Sequence, residues 1–303
     1  MKSLAAWRRS AKYIQVGADR IAYWSSTDDD AQPTLLLIHG YPTSSWDWTG
    51  LWPDLKKHFR LIALDMLGFG LSDKPRNITF SIHDQADLQE ALLAQLGVGD
   101  AHVFTHDYGN TVGQELLARQ NEKSLSFSIR SMCFLNGGLF PEQHRARRSQ
   151  KLGLTPLGPL LGMLMSEARL RTAFDEIYGP ETKASDKEIA GHWSLIKEND
   201  GRRVLHKLLS YIPERKKYRD RWVGALTRTH VPMRLINGGA DPVSGEHLYR
   251  HYIEHVPNAD AVLFERIGHY PHTEAPGDVL AAFRDFHSTL STNGAAQGAG
   301  ERT

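Results

Sequence analysis

Short apolar runs recur along the chain, separated by polar and glycine-rich stretches. The run at residues 34–38 (TLLLI) is apolar on both faces, as central parallel strands are when helices cover both sides of a sheet. Two short runs around Gly17 predict a hairpin instead. Together these patterns predict strands at residues 12–16, 20–24, 34–38, 61–64, 101–105, 131–135, 233–236 and 261–264.

Helical stretches alternate with these strands along the first part of the chain. Residues 82–96 carry apolar side chains at helical spacing, and residues 110–119 follow a strand directly. Alternating strands and helices predict an α/β fold with a mostly parallel central sheet. The alternation stops after the sixth strand and resumes near residue 231. We therefore expect a core of residues 1–138 and 230–291, a helical cap of residues 139–229, and a disordered tail of residues 292–303.

Composition and charge argue against several classes of protein, namely nucleic-acid-binding, membrane-bound and disulfide-rich proteins. Lys plus Arg number 36 and Asp plus Glu number 35, so the net charge of +1 gives no reason to expect a nucleic-acid or membrane partner. The single cysteine, Cys133, excludes a disulfide scaffold. No stretch approaches the ~20 apolar residues that span a bilayer, and no secretion signal is found. We expect a cytoplasmic protein, and the sequence leaves its oligomeric state open.

The strongest chemical signal is a strand–turn–helix elbow at His106-Asp107-Tyr108-Gly109. Such an elbow presents its central residue, here Asp107, above the carboxyl edge of the sheet. The residues two before and two after it should be small; Gly109 fits, and Thr105 is bulkier than the usual glycine. No G-x-S-x-G occurs in the chain, so a serine nucleophile is not expected. A simple helix-capping role for Asp107 is the alternative.

Two later motifs supply an acid and a base. Asp241 lies in Gly238-Gly239-Ala240-Asp241-Pro242, after the seventh strand, and His269 follows the eighth. The order nucleophile, acid, histidine is the one that elbow-type hydrolases use. His272 competes with His269 for the role of base, and we favour His269.

An earlier loop completes the constellation. His39-Gly40-Tyr41-Pro42 closes the third strand. Loops at this place donate one backbone N–H to a developing oxyanion, and the residue after the nucleophile donates the other. We therefore expect the N–H groups of Tyr41 and Tyr108 to form an oxyanion hole.

These motifs resemble the α/β-hydrolase superfamily, in the branch with an aspartate nucleophile that holds epoxide hydrolases and haloalkane dehalogenases. The segment at residues 65–75 (DMLGFGLSDKP) is similar to that branch's D-x-x-G-x-G-x-S-x-x-P. Segments 39–45, 106–109 and 221–226 are also similar to the mesoderm-specific transcript group and its bacterial relatives. The resemblance implies an α/β-hydrolase fold, a small apolar organic substrate with water, and no metal or organic cofactor.

The leaving group separates the members of this branch. Dehalogenases commonly hold a halide with an Asn after the HG pair and a Trp after the nucleophile, whereas this chain has Tyr41 and Tyr108. Epoxide hydrolases donate a proton from cap tyrosines, for which Tyr211 is the first choice and Tyr178 the second, while the charged neighbours of Tyr218 indicate solvent. The prediction is an epoxide hydrolase. A haloalkane dehalogenase with the same triad, and a ligand-binding protein without activity, are the alternatives.

Two further patterns, one of histidines and one of basic residues, are interpreted as solvated helix faces rather than as binding sites. His247, His251 and His255 share a helix face, but no second ligand motif accompanies them, so we expect a solvated stripe rather than a zinc site. The basic run at residues 215–221 (RKKYRDR) is interpreted as a solvated helix face.

Overall fold

The computed structural model describes residues 3–27 and 31–300, with the side chains described as far as residue 290. One sheet crosses the molecule, and its strands lie in the order β1-β2-β4-β3-β5-β6-β7-β8. The first two strands form an antiparallel hairpin, β2 pairs antiparallel with β4, and the other pairs are parallel. The strands are β1 Lys12–Val16, β2 Asp19–Ser25, β3 Thr34–Ile38, β4 Arg60–Leu64, β5 Asp100–Thr105, β6 Ser128–Phe134, β7 Met233–Gly238 and β8 Ala261–Phe264.

The sheet separates two hydrophobic cores, and the alternation of side chains along β3 shows how. Leu36 and Ile38 pack into one core, while Leu35 and Leu37 pack into the other. Because neighbouring side chains of a strand point to opposite faces, a run that is apolar at every position can be buried only between two layers. The apolar runs predict β3 to β8, and the hairpin pattern around Gly17 predicts β1 and β2.

Helices connect the strands and make up the insertion between β6 and β7. They are α1 Leu4–Arg9, α2 Trp52–Leu55, α3 Ile82–Gln95, α4 Tyr108–Asn121, α5 Arg148–Gly153, α6 Gly158–Met163, α7 Glu167–Ile177, α8 Asp186–Lys197, α9 Leu205–Leu208, α10 Tyr211–Lys217, α11 Arg219–Arg228, α12 Glu246–His255, α13 Pro271–Glu274 and α14 Pro276–Gly300, with single 3₁₀ turns at Ser45–Gly50, Pro141–Gln143 and Glu198–Arg203.

Helices α5 to α11 lie between β6 and β7, where the sequence predicts a cap. A separate apolar cluster, which includes Leu170, Phe174, Ile189 and Trp193, holds the middle of this insertion together. Helix α11 behaves differently, because its Trp222 joins the core cluster on one face of the sheet. The end of the insertion thus packs on the core, and the division at residues 139 and 229 stays a prediction.

The C-terminal helix differs from the sequence prediction. Residues 292–303 are predicted as a disordered tail, but α14 continues to Gly300; residues 301–303 lie outside the described residues. Adding residues to a helix that has already begun costs less than starting one, although the glycines in this stretch are poor helix formers. Within the part of the chain that is described, no helix combines the length and apolarity that crossing a bilayer requires.

Candidate active site

The elbow after β5 places Asp107 at the carboxyl edge of the sheet. Asp107 has φ 47° and ψ −104°, a backbone conformation that is strained for any residue with a side chain. Close neighbours impose this geometry: a Cβ on Gly109 would lie 2.5 Å from the Ile38 carbonyl oxygen. Thr105 fits because Gly113 faces it from the next turn of α4, with 3.0 Å between its ideal Cβ position and the Thr105 methyl. The elbow that the sequence predicts is present.

The two carboxylate oxygens of Asp107 face different groups. Oδ2 accepts a hydrogen bond of 3.0 Å from the Tyr41 backbone N–H, and Oδ1 lies 3.8 Å from Nε2 of His269. Tyr108 is the first residue of α4, where helix geometry leaves the backbone N–H without a partner in the helix. Of the two N–H groups predicted as oxyanion donors, that of Tyr41 contacts this carboxylate, and that of Tyr108 lies in the first turn of α4 next to the elbow.

His269 and Asp241 form a tight pair beside Asp107. The ring Nδ1 of His269 donates to Oδ2 of Asp241 over 2.7 Å, which leaves Nε2 directed at Asp107. Asp241 also accepts hydrogen bonds from the backbone N–H of Val243 and from the backbone N–H and hydroxyl of Ser244. The structure thus brings together the predicted nucleophile, acid and base.

The opposite charges of His269 and Asp241 shift the pKa values of both side chains. Burial alone lowers the pKa of His269, but the Asp241 carboxylate and its hydrogen bond, with a further contribution from Asp107, raise it to about 9. Burial raises the pKa of Asp241, but His269 and the hydrogen bonds from Ser244 and Val243 hold it below its usual range. At neutral pH His269 is therefore a cation between two carboxylates.

His272, the competing histidine, has a different environment. Its ring is fully buried, and neither nitrogen has a hydrogen-bond partner among the described residues. Burial, with the nearby His269 cation, lowers the pKa of His272 to about 3. Its ring packs against those of Trp48 and His106, and among the described residues no hydrogen bond joins it to a carboxylate. The geometry favours His269 for the position of the base.

Asn136 is a site residue that the sequence analysis missed. It follows β6, and its Nδ2 donates to the Gly238 carbonyl over 2.9 Å and to Oδ2 of Asp241 over 3.0 Å. Its Oδ1 accepts from the Gly238 N–H over 2.6 Å. Asn136 therefore ties the end of β6 to the loop that carries Asp241. A polar residue at the end of a buried strand, in Leu135-Asn136-Gly137, was the available signal.

The prediction of a solvated basic face at residues 215–221 is wrong for Arg215. This side chain is 2% exposed, and its guanidinium donates to the Asp107 carbonyl, to the Thr111 hydroxyl and to the His144 ring. The reason is that α10 contacts α4, and two of the three partners of the guanidinium, the Asp107 carbonyl and the Thr111 hydroxyl, belong to the start of that helix. Arg215 thereby supports the backbone of Asp107.

The three cap tyrosines occupy different places. Tyr211 is fully buried, its ring lies 5.1 Å from that of Tyr108, and its hydroxyl accepts a hydrogen bond of 3.2 Å from Gln150. Burial, followed by the negative charge of Asp107, holds the pKa of Tyr211 well above its usual value. The hydroxyl of Tyr178 instead bonds to Thr273 over 3.1 Å, and Tyr218 packs against Trp222. Tyr211 is thus the cap tyrosine whose surroundings include the charge of Asp107.

A cavity of about 170 Å³ lies between the carboxyl edge of the sheet and the cap. Asp107, Tyr41 and His269 form its floor. Its walls are mostly apolar and come from the cap, with Leu161, Met165, Leu170, Phe174, Ile177, Leu205 and Leu209 among them. Polar groups on the cap side are few, and they include Arg147, Gln150 and His206. The site can therefore hold a small, largely apolar molecule against the Asp107 carboxylate.

Two groups of side chains have ligand types that bind metals. One is the buried set Asp47, His106 and His272, and the other is His251, Glu254 and His255 at the surface. His106 is already held by a hydrogen bond from its ring to the His269 carbonyl. His247 does not join the surface set, because its ring donates to the Gln143 carbonyl. Neither group faces the cavity above Asp107.

Comparison of the sequence with known proteins gives extended matches. Residues 33–276 match the family described as alpha/beta hydrolase fold. The chain is 41% identical over 295 residues to the mesoderm-specific transcript homolog protein of Bos taurus, covering 94% of this chain and 88% of the relative. It is 36% identical over 274 residues to LipZ of Mycobacterium tuberculosis, covering 90% and 94%.

The fold also matches solved structures. A haloalkane dehalogenase loop variant from Bradyrhizobium elkanii superposes with a TM-score of 0.77, covering 95% of this chain and 99% of that one. The sequence identity of that pair is 20%, so the likeness concerns the fold alone.

Proposed function

The chain belongs to the α/β-hydrolase fold family and is a hydrolase of that superfamily, and from this premise we propose that it opens epoxides to vicinal diols through a covalent ester on Asp107. The observation that carries the proposal is the double environment of the Asp107 carboxylate. One oxygen lies at a backbone N–H, and the other faces a histidine that is paired with a second carboxylate. This arrangement suits formation of an ester and its hydrolysis in turn.

In the first step, an oxygen of Asp107 attacks a saturated epoxide carbon. The carbon–oxygen bond of the ring breaks, and the released oxygen takes a proton. We assign that proton to the Tyr211 hydroxyl, which lies behind the cavity lining: Gln150 of that lining donates to the Tyr211 oxygen and leaves its hydrogen free for a substrate oxygen. The raised pKa of Tyr211 keeps this hydroxyl protonated before the reaction.

In the second step, His269, which loses its proton to solvent once the Asp107 charge is gone, takes a proton from water, and the hydroxide attacks the carboxyl carbon of the Asp107 ester. The Tyr41 and Tyr108 N–H groups stabilise the oxyanion. On its collapse the departing diol oxygen takes the proton from His269, and the proton of the new carboxylic acid returns to the Tyr211 oxygen, which restores the carboxylate and the phenol. Ester formation removes the Asp107 charge, which is one cause of the high pKa of His269. The first step therefore lowers the pKa of His269 and prepares the histidine to act as a base.

The choice of an epoxide over a haloalkane rests on donors in the cavity. Dehalogenases commonly hold the halide with the side-chain N–H groups of an asparagine and a tryptophan, and the described residues that line the cavity include neither of these types; its N–H side chains, Arg147, Gln150 and His206, come from the cap. Tyr41 and Tyr108 stand at the two positions where dehalogenases commonly carry these donors. A phenol that supplies a proton serves an alkoxide leaving group better than a halide.

Intact-protein mass spectrometry of the His269→Gln variant tests the mechanism. Attack needs only Asp107, but hydrolysis needs the base, so the variant should accumulate a covalent adduct with styrene oxide. The mass gain should equal the whole epoxide, because ring opening loses no atoms, and digestion should locate it on the peptide that contains Asp107. The matched control is His272→Gln, which should turn over substrate without an adduct.

The same experiment distinguishes the alternatives. A bromoalkane that adds its mass minus hydrogen bromide, with no adduct from epoxides, would replace the proposal with a haloalkane dehalogenase. Wild-type turnover by His269→Gln with an adduct on His272→Gln would move the base to His272. Tight binding of a small apolar molecule without turnover by the wild-type protein would favour a ligand-binding role.

A further inference from the structure

An apolar patch on the outer side of the cap has no partner in the described structure. Six large apolar side chains there are between 37% and 57% exposed, and these six are two thirds of the nine such side chains found exposed among the described residues. They form what we term the cap patch: Leu152, Leu154, Leu157, Leu160, Met163 and Leu164. Monomeric proteins seldom concentrate exposed apolar surface in this way without a use for it.

The cap patch is the outer face of the segment that closes the active-site cavity. Helices α5 and α6 supply both surfaces: Leu157, Leu160 and Leu164 share one face at helical spacing, while Leu161 and Gly162 line the cavity on the other. Gly153, Gly158 and Met165 also line the cavity. One layer of chain therefore separates the apolar cavity from the apolar patch.

Positive charge surrounds the cap patch. Residues 143–166 contain no acidic residue and carry Arg145, Arg148 and Lys151, whereas Arg147 of the same stretch lines the cavity and pairs with Glu176. Two further arginines are held at the end of α6, where Arg169 donates to the Leu164 carbonyl and Arg202 donates to the Met163 carbonyl. The net charge of +1 for the whole chain thus hides a strongly basic local surface.

We propose that the cap patch docks onto an anionic lipid surface, with its leucines in the acyl boundary and its arginines and lysine at the phosphates. An apolar face bordered by Lys and Arg is the arrangement that binds at the interface of anionic membranes. A second copy of the chain fits less well, because a symmetric contact would bring the basic borders of two patches together. Docking brings the thin wall of the cavity against the lipid, where apolar substrates concentrate.

Vesicle co-flotation of the full chain tests this proposal without relying on any activity. Binding should be strong to vesicles of phosphatidylcholine mixed with phosphatidylglycerol, weak to phosphatidylcholine alone, and reduced by salt. The double variant Leu157→Asp/Leu160→Asp should lower binding to the anionic vesicles by roughly tenfold or more, since it places charges in the acyl boundary.

Two further variants test the contribution of charge and the specificity for the cap patch. Lys151→Glu changes only an exposed charge and should weaken binding several-fold on anionic vesicles. Ile253→Asp alters another exposed apolar residue, far along the chain on α12, and should bind like the wild type. Circular dichroism and thermal melting check that each variant folds.

Absence of flotation at low salt, or equal binding by the Leu157→Asp/Leu160→Asp and wild-type proteins, would overturn the proposal. Analytical ultracentrifugation tests the alternative that a second copy of the chain binds the cap patch. A concentration-dependent dimer that the same double variant abolishes, together with no vesicle binding, would make the cap patch an interface between copies.

Discussion

The two sides of the active-site cavity differ in how their side chains are held. On the sheet side, Asp241 accepts hydrogen bonds from four residues, and the Asp107 backbone is bonded to Asn136 and Arg215. On the cap side, the wall is apolar, rich in glycine, and exposed on its outer face. The sheet side is built to keep a few atoms in fixed positions, and the cap side is built to enclose an apolar molecule.

This difference separates chemistry from substrate selection. Hydrogen bonds to strand ends and helix starts hold reacting groups with the accuracy that catalysis needs. Apolar packing has no directional preference, so the cap can change its lining without disturbing the triad. Variants on the sheet side should therefore change the rate of the chemical steps, while variants of the outer cap should change access and docking.

The largest effect is expected at Asp107. Asp107→Ala should fold and lose turnover by roughly 10⁴-fold or more, since the carboxylate is the proposed nucleophile. Turnover of styrene oxide, with thermal melting as a folding check, measures both properties. The Asp107→Gly variant should be equally inactive but about 1 kcal/mol more stable than Asp107→Ala, because glycine adopts φ 47° without strain. Activity of either variant above a few per cent of wild type would remove the assignment.

A smaller effect is expected at the boundary between the two sides. Tyr211→Phe should slow epoxide opening by roughly 10²-fold, the range for loss of a general acid. Single-turnover measurement of ester formation isolates this step. Tyr178→Phe is the control, because its hydroxyl bonds to Thr273 and should leave the rate near that of wild type. Equal rates for Tyr211→Phe and wild type would exclude Tyr211 as the proton donor.

The His269–Asp241 pair should make stability depend on pH. The pKa of His269 is raised in the folded protein to about 9, above its ordinary value of 6.5, so its contribution is complete below pH 6.5 and is lost as the pH rises toward 9. That loss is on the order of 3 kcal/mol. Chemical unfolding at a series of pH values should show it, and the difference between wild type and His269→Gln isolates it from other groups. Parallel curves for the two proteins would contradict the pairing.

The smallest effect on the sheet side is expected at Asn136, a positioning residue. Asn136→Ala should lower kcat by roughly tenfold with little change in KM, because Asp241 loses one donor and the Asp241 loop loses its tie to β6. The buried neighbour Asn237 bonds only to carbonyls of the same loop and strand end, so Asn237→Ala should lower stability more than kcat. If both variants change kcat equally, Asn136 has only a structural role.

The sequence alone predicted a large part of this arrangement. Runs that are apolar at every position predicted the buried strands, and parallel strands bring their carboxyl ends to one edge, so Asp107, Asp241 and His269 could be expected to meet there. Asn136 and Arg215 were missed for opposite reasons. Asn136 looked like a turn residue, and its role depends on a loop about 100 residues away. Arg215 looked exposed because its sequence neighbours are charged.

What the sequence determined is local: the strand positions, the strained elbow with its required glycine, and the order of the motifs. Periodicity and turn chemistry act over a few residues, so they can be read along the chain. The tertiary structure decided which cap tyrosine packs against Tyr41 and Tyr108, which arginine is buried, and that the leucines of α5 and α6 face solvent above the cavity. Those outcomes depend on how separate elements pack against each other. The cap consists of short helices joined by glycines, so its local sequence does not fix their orientation, which is set by packing on the sheet.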